Sequence, residues 1–79
     1  MSNLEKYNTV FADTFAVVIE SLNNDFTSES VDKWDSILQL TLVTAMEDAF
    51  DVMLEPEDIM DFKSYDFGKV ILAKYGVEI

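Results

Sequence analysis

The chain has 79 residues, of which 49% are apolar and 13% aromatic, too apolar for a disordered polypeptide and short enough for one domain with a small core. Five lysines and no arginine stand against 16 acids, giving a net charge of −11, which disfavours nucleic acid and points to a basic protein surface as partner. Without cysteine or histidine the chain has no disulfide, no thiolate and no imidazole base of its own.

Ser2 and Glu5 have the spacing of a capping box, in which the serine accepts from the N3 amide while the glutamate reaches back. Leu4, Tyr7, Phe11, Phe15, Val18 and Leu22 then recur at three- and four-residue steps, with Val10 and Ile19 widening the stripe. This predicts a long amphipathic first helix that continues to Leu22. Glu5 and Asp13 lie where a signal peptide carries basic residues, and the apolar run from Phe15 to Ile19 is too short for a membrane span, so a soluble, cytoplasmic protein is expected.

The stretch Asn23-Asn24-Asp25-Phe26-Thr27-Ser28-Glu29-Ser30 is rich in turn formers and opens a loop that runs to Asp35, with Phe26, Val31 and Trp34 as its expected pins. A second helix is predicted from Ser36 to Asp51 and buried over a wide arc, with Ile37, Leu40, Val43, Met46 and Phe50 in one apolar row and Leu38, Leu42, Ala45 and Ala49 in another. Pro56, followed by Glu57 and Asp58, suits the start of a short third helix. Ser64 can cap a last helix with Phe67, Val70, Ile71 and Tyr75 inward and Gly76 just past its end; only Val77 to Ile79 could make a short strand. The expected fold is all-α: a monomeric four-helix bundle, three helices longer and the third short, forming a single domain over residues 1–79.

Catalysis of the chain's own would rest on carboxylates and five lysines, and a small bundle has no evident cleft to hold a substrate between two acids, so no enzyme is expected. Asp66-Phe67-Gly68 spells the magnesium-binding tripeptide of protein kinases but lacks the phosphate loop and the chain length of that domain. The acids from Glu47 to Asp61 lack both the spacing and the glycine of a calcium-binding EF-hand loop, and no metal site is expected.

The placement of the acids is informative. From Trp34 to Phe62 there are eight, Asp35, Glu47, Asp48, Asp51, Glu55, Glu57, Asp58 and Asp61, and no lysine. Such a stretch is either a solvated face or a docking strip for basic patches on partner enzymes.

Ser36 admits two readings. Ser36 and Gln39 can form a capping box, which consumes the serine hydroxyl. Equally, Asp35 can be the N-cap, which makes Ser36 the first helical residue and turns its hydroxyl to solvent at the positive end of the helix dipole.

Asp35-Ser36-Ile37, followed within the same helix by Glu47-Asp48-Ala49-Phe50, resembles the Asp-Ser-Leu and Glu-x-x-Phe marks of the acyl carrier protein family, and the order of helices and loop is similar over nearly the whole chain. The resemblance implies that a phosphopantetheinyl transferase attaches 4'-phosphopantetheine from coenzyme A to Ser36, with Asp35 as the cap beside the attachment site. The arm's thiol would carry acyl groups as thioesters for fatty-acid, polyketide or specialised acyl or aminoacyl pathways. It also implies that acyl-transferring or acyl-activating enzymes dock through basic patches, here against Ile37, Leu38, Glu47, Asp48, Asp51, Glu57 and Asp58. The alternative is a small acidic interaction domain in which Ser36 is only a helix cap.

The chain departs from common fatty-acid carriers at four positions. Trp34 replaces a small residue, Ile37 replaces leucine, and Leu38 and Thr41 stand where those carriers tend to have acids. Trp34 is expected to anchor the loop, and a tryptophan there is reminiscent of stand-alone carriers in specialised pathways. Phe50, Phe62, Tyr65, Phe67 and Tyr75 would make a bulky core, from which a short or polar cargo is expected.

Overall fold

The Ser2 side chain accepts from the backbone N–H of Glu5 at 3.1 Å and the Glu5 carboxylate accepts from the N–H of Ser2, so the capping box forms and starts α1, Asn3–Phe15. The computed structural model describes residues 2–79, and in it four α-helices follow in the order α1, α2 (Ser36–Phe50), α3 (Pro56–Asp61) and α4 (Tyr65–Ala73), with a 3₁₀ turn at Ile19–Ser21 and no strand among those residues. The fold is the expected all-α bundle with a short third helix. The tail from Val77 to Ile79 is not a strand; Val77 instead buries its side chain and donates its N–H to the carbonyl of Leu72.

The first helix is shorter than its apolar stripe. Ala16 adopts the left-handed conformation at φ 55°, and both its N–H and that of Val17 return to the carbonyl of Ala12, which closes the helix. The β-branched run Val17-Val18-Ile19 gives the chain little reason to continue as helix. Val18 and Ile19, expected on the buried stripe, are consequently exposed, and Leu4 at the other end is exposed as well.

The core is built on aromatic rings. Tyr7, Phe11 and Phe15 lie one turn apart on α1 and are wholly buried. Around them sit Phe26 and Trp34 from the loop and Phe62 and Tyr65 from the α3–α4 junction, with ring centroids 4.9 to 6.1 Å apart in stacked, tilted and edge-on pairs. Backbone bonds hold the loop in the same place: Ser28 donates to the carbonyl of Lys63 at 2.8 Å and Tyr65 to that of Phe26 at 2.9 Å.

α4 presents a different face from the one expected. Ser64 caps it by accepting from the N–H of Phe67 at 2.9 Å, as anticipated, but Phe67 and Val70 face outward and the buried row is Tyr65, Gly68, Ile71 and Leu72. The reason is the glycine. Gly68 lets the helix backbone approach the Tyr7 hydroxyl and the Phe62 ring, and Tyr7 donates to the carbonyl of Tyr65 at 2.5 Å. Burial pushes the ionisation of Tyr7 far above the ordinary phenol range, which keeps it neutral and donating.

Candidate functional site

The approach to α2 is fixed by Trp34, which is 6% exposed and packs 4.9 Å from the Phe15 ring. It is the loop anchor that its position predicted. Among the described residues its indole N–H is buried without a partner, so apolar packing of the ring holds it there against the cost of an unmet donor, about 1–3 kcal/mol. Asp35 follows in extended conformation, and its Oδ1 accepts from the N–H of Leu38 at 2.8 Å. Asp35 is therefore the N-cap, and Ser36 is the first residue of the helix.

The rival capping box with Gln39 does not form. The Gln39 amide points across to α3, donating to the carbonyl of Ile59 at 2.8 Å and, more weakly, to that of Met60 at 3.3 Å. It adds a donor to carbonyls at the end of a six-residue helix, where that of Ile59 otherwise receives only the Phe62 N–H at 3.4 Å. Ser36 is left exposed, and among the described residues its hydroxyl has no hydrogen-bond partner. The arrangement presents this hydroxyl and does not activate it.

A groove of about 320 Å³ begins at Ser36 and runs between α2 and α3, lined by Ser36, Gln39, Leu40, Ile59, Met60 and Lys63. A shallower depression of about 520 Å³ lies on the other side of Leu40, against Ile37, Thr41, Thr44, Ala45 and Asp48. Ile37 is 78% exposed, Leu40 57% and Met60 67%, so Ser36 stands in an apolar surface. Here the expected wide burial of α2 fails: Leu42, Val43 and Met46 are buried, whereas Ile37 and Leu40 in the first row are not. α3 is too short to cover them.

The acids assigned to docking divide into two sets. Asp48, Asp51 and Glu57 are exposed, and Leu38 is half-buried beside the exposed Ile37. Glu47 is half-buried and accepts from the backbone N–H of Leu54 at 2.8 Å, so one of its oxygens organises the turn after α2. Asp58 must be removed from the docking surface. It is 7% exposed, accepts from the Lys74 ammonium at 2.5 Å and from the Tyr75 hydroxyl, and ties α3 to the end of α4. These bonds, Lys74 first and Tyr75 second, hold its carboxyl below the usual carboxylate range. Tyr75 then accepts from the N–H of Glu55 at 3.0 Å, which extends the tie to the start of α3.

Among the described residues no three acids converge as a group that could hold a metal ion, and no helix is long and apolar enough to cross a membrane. Sequence reasoning missed Gln39, Met60 and Lys63 as parts of this surface. Lys63 carried one signal, as the first lysine after a stretch of eight acids; the other two carried none, because their roles arise from the meeting of α2 and α3. No protein-family model matches the chain, and no curated protein matches it.

Proposed function

We propose that this protein is an acyl carrier in which Ser36 receives 4'-phosphopantetheine from coenzyme A through a separate phosphopantetheinyl transferase. The observation that carries the reading is the division of labour at the start of α2: Asp35 caps the helix, and the Ser36 hydroxyl is exposed and, among the described residues, unbonded beside an apolar groove. When bound, the arm supplies a thiol that holds acyl groups as thioesters, the one function for which this chain has no side chain. The chain's own part is to hold the attachment point rigid, through Trp34 and Asp35, and to offer an apolar and acidic surface to partner enzymes. That surface comprises Ile37, Leu40, Met60, Asp48, Asp51 and Glu57, and basic patches on acyl-transferring or acyl-activating enzymes are its electrostatic complement. The aromatic filling of the core favours a short or polar cargo over a long fatty chain.

Incubation with coenzyme A and a broad-specificity phosphopantetheinyl transferase, followed by intact mass measurement, tests the proposal. The expected result is one added phosphopantetheine on the wild-type chain and none on Ser36→Ala. No gain on the wild type, or an equal gain on the variant, overturns it and leaves the reading of an acidic interaction domain.

A further inference from the structure

Three of the five lysines are engaged. Lys74 pairs with Asp58 at 2.5 Å, Lys6 lies 5.8 Å over the Phe50 ring and Lys69 lies 4.4 Å over the Tyr65 ring. Among the described residues, Lys33 and Lys63 have neither an ion pair nor a ring beneath them, although the chain offers 16 acids. Lys63 even shares a neighbouring groove with Asp61 and Glu29 without pairing to either. Of the two free lysines, Lys63 is the one that lines the groove beginning at Ser36.

The backbone at Lys63 is held firmly. Its carbonyl accepts from Ser28 at 2.8 Å, Phe62 before it is wholly buried, and Ser64 after it caps α4. A fixed Cα with an uncommitted ammonium costs little to pair, because only side-chain freedom is lost when an anion arrives. The rest of the groove is apolar, from Leu40, Ile59 and Met60, apart from the Gln39 amide already bonded to α3. One cation at the edge of an apolar trough complements a ligand with an anionic end and a flexible, weakly polar body.

On the carrier reading above, on which this inference rests, the group tethered to Ser36 has that composition. We propose that Lys63 is the counter-ion of the phosphodiester on Ser36 and holds the arm at rest in the groove between α2 and α3. It is a positioning residue: it sets where the arm lies between encounters with partner enzymes. A partner's basic patch would compete with Lys63 for the same phosphate, so docking and release of the arm would be coupled.

The test uses wild type, Lys63→Gln, Lys63→Arg and Lys33→Gln, each in apo form and loaded by the transferase. Backbone amide shifts of Gln39, Leu40, Ile59 and Met60 are compared between the two forms, and the loaded wild type is titrated with sodium chloride. Loading is expected to move the groove amides, and added salt to reverse the movement. In Lys63→Gln the ratio of docked to free arm falls roughly two- to fivefold, as for a partly exposed ion pair. Lys63→Arg retains the shifts, and Lys33→Gln behaves as wild type. If the wild type is loaded but its groove amides stay in place, or move equally in Lys63→Gln, the role of Lys63 is overturned and the carrier reading stands. Failure of the wild type to accept the arm overturns both.

Discussion

The carboxylate of Asp35 accepts the backbone N–H of Leu38 at 2.8 Å, and this single bond releases Ser36 from any structural duty at the start of α2. The two residues should therefore respond oppositely to truncation. Asp35→Ala is expected to lose about 1 kcal/mol, the usual effect of removing an N-cap, and Asp35→Asn to retain most of it. Ser36→Ala should stay within about 0.5 kcal/mol of wild type, because an exposed first-turn hydroxyl without a partner contributes little. Urea unfolding of the three variants measures both, and equal losses at Asp35 and Ser36 would contradict the assignment of the cap.

Gly68 is a packing requirement. A Cβ built there lies 2.5 and 2.7 Å from atoms of the Phe62 ring and closer still to the Tyr7 hydroxyl, and both side chains are wholly buried. Overpacking of this kind typically costs about 1–3 kcal/mol, while the better helix propensity of alanine returns about 1. Gly68→Ala should thus be destabilised on balance, with a lowered melting temperature and displaced aromatic resonances from Tyr7 and Phe62. A variant as stable as wild type would mean that α4 can move away from α1 at little cost.

The Asp58 cluster has a pH signature. Hydrogen bonds from Lys74 and then Tyr75 lower the Asp58 carboxyl below its ordinary value of 3.8. A group depressed in the folded state stabilises fully above its unfolded value, and loses that contribution as pH falls through the folded one. The melting temperature of wild type should therefore exceed that of Asp58→Asn by several degrees at neutral pH, and the gap should close below about pH 4. Lys74 and Tyr75 are both raised, chiefly by their bonds to Asp58, so their contribution is complete below 10.5 and 10.0 and fades as pH climbs through their higher folded values. A gap independent of pH at the acid end would show that Asp58 acts through packing alone.

Self-repulsion should limit the stability of the whole chain. The net charge is −11, and among the described residues the only ion pair is Lys74 with Asp58. Raising sodium chloride to about 0.15 M, where charges beyond about 8 Å are screened, is expected to raise the melting temperature, and millimolar magnesium should do so further. A flat response would indicate that the exposed acids are too dispersed to repel.

Features that depend on residues within one turn of each other were readable in advance. The Ser2–Glu5 box, Pro56 at the start of α3 and the Ser64 cap of α4 all act over three or four positions, and each formed where its spacing placed it. The extent of α1 was not readable in this way, because Val18 and Ile19 continue the apolar period beyond the point where Ala16 turns left-handed. Periodicity identifies a stripe, and a single backbone angle ends it.

By itself the sequence determined the helical class, the short third helix, the aromatic pins of the loop and the concentration of acids between Trp34 and Phe62, since these follow from local propensity and composition. Only the tertiary structure decided how much of each apolar stripe is covered, so that Ile37, Leu40, Phe67 and Val70 lie outside and Gly68 inside. It also withdrew Asp58 from the surface, through partners 16 and 17 positions away, and drew Gln39 toward a carbonyl 20 positions away. Local spacing left Ser36 evenly poised between capping and exposure. Long-range hydrogen bonding decided it, because the Gln39 amide donates to carbonyls at the end of α3 and the cap passed to Asp35.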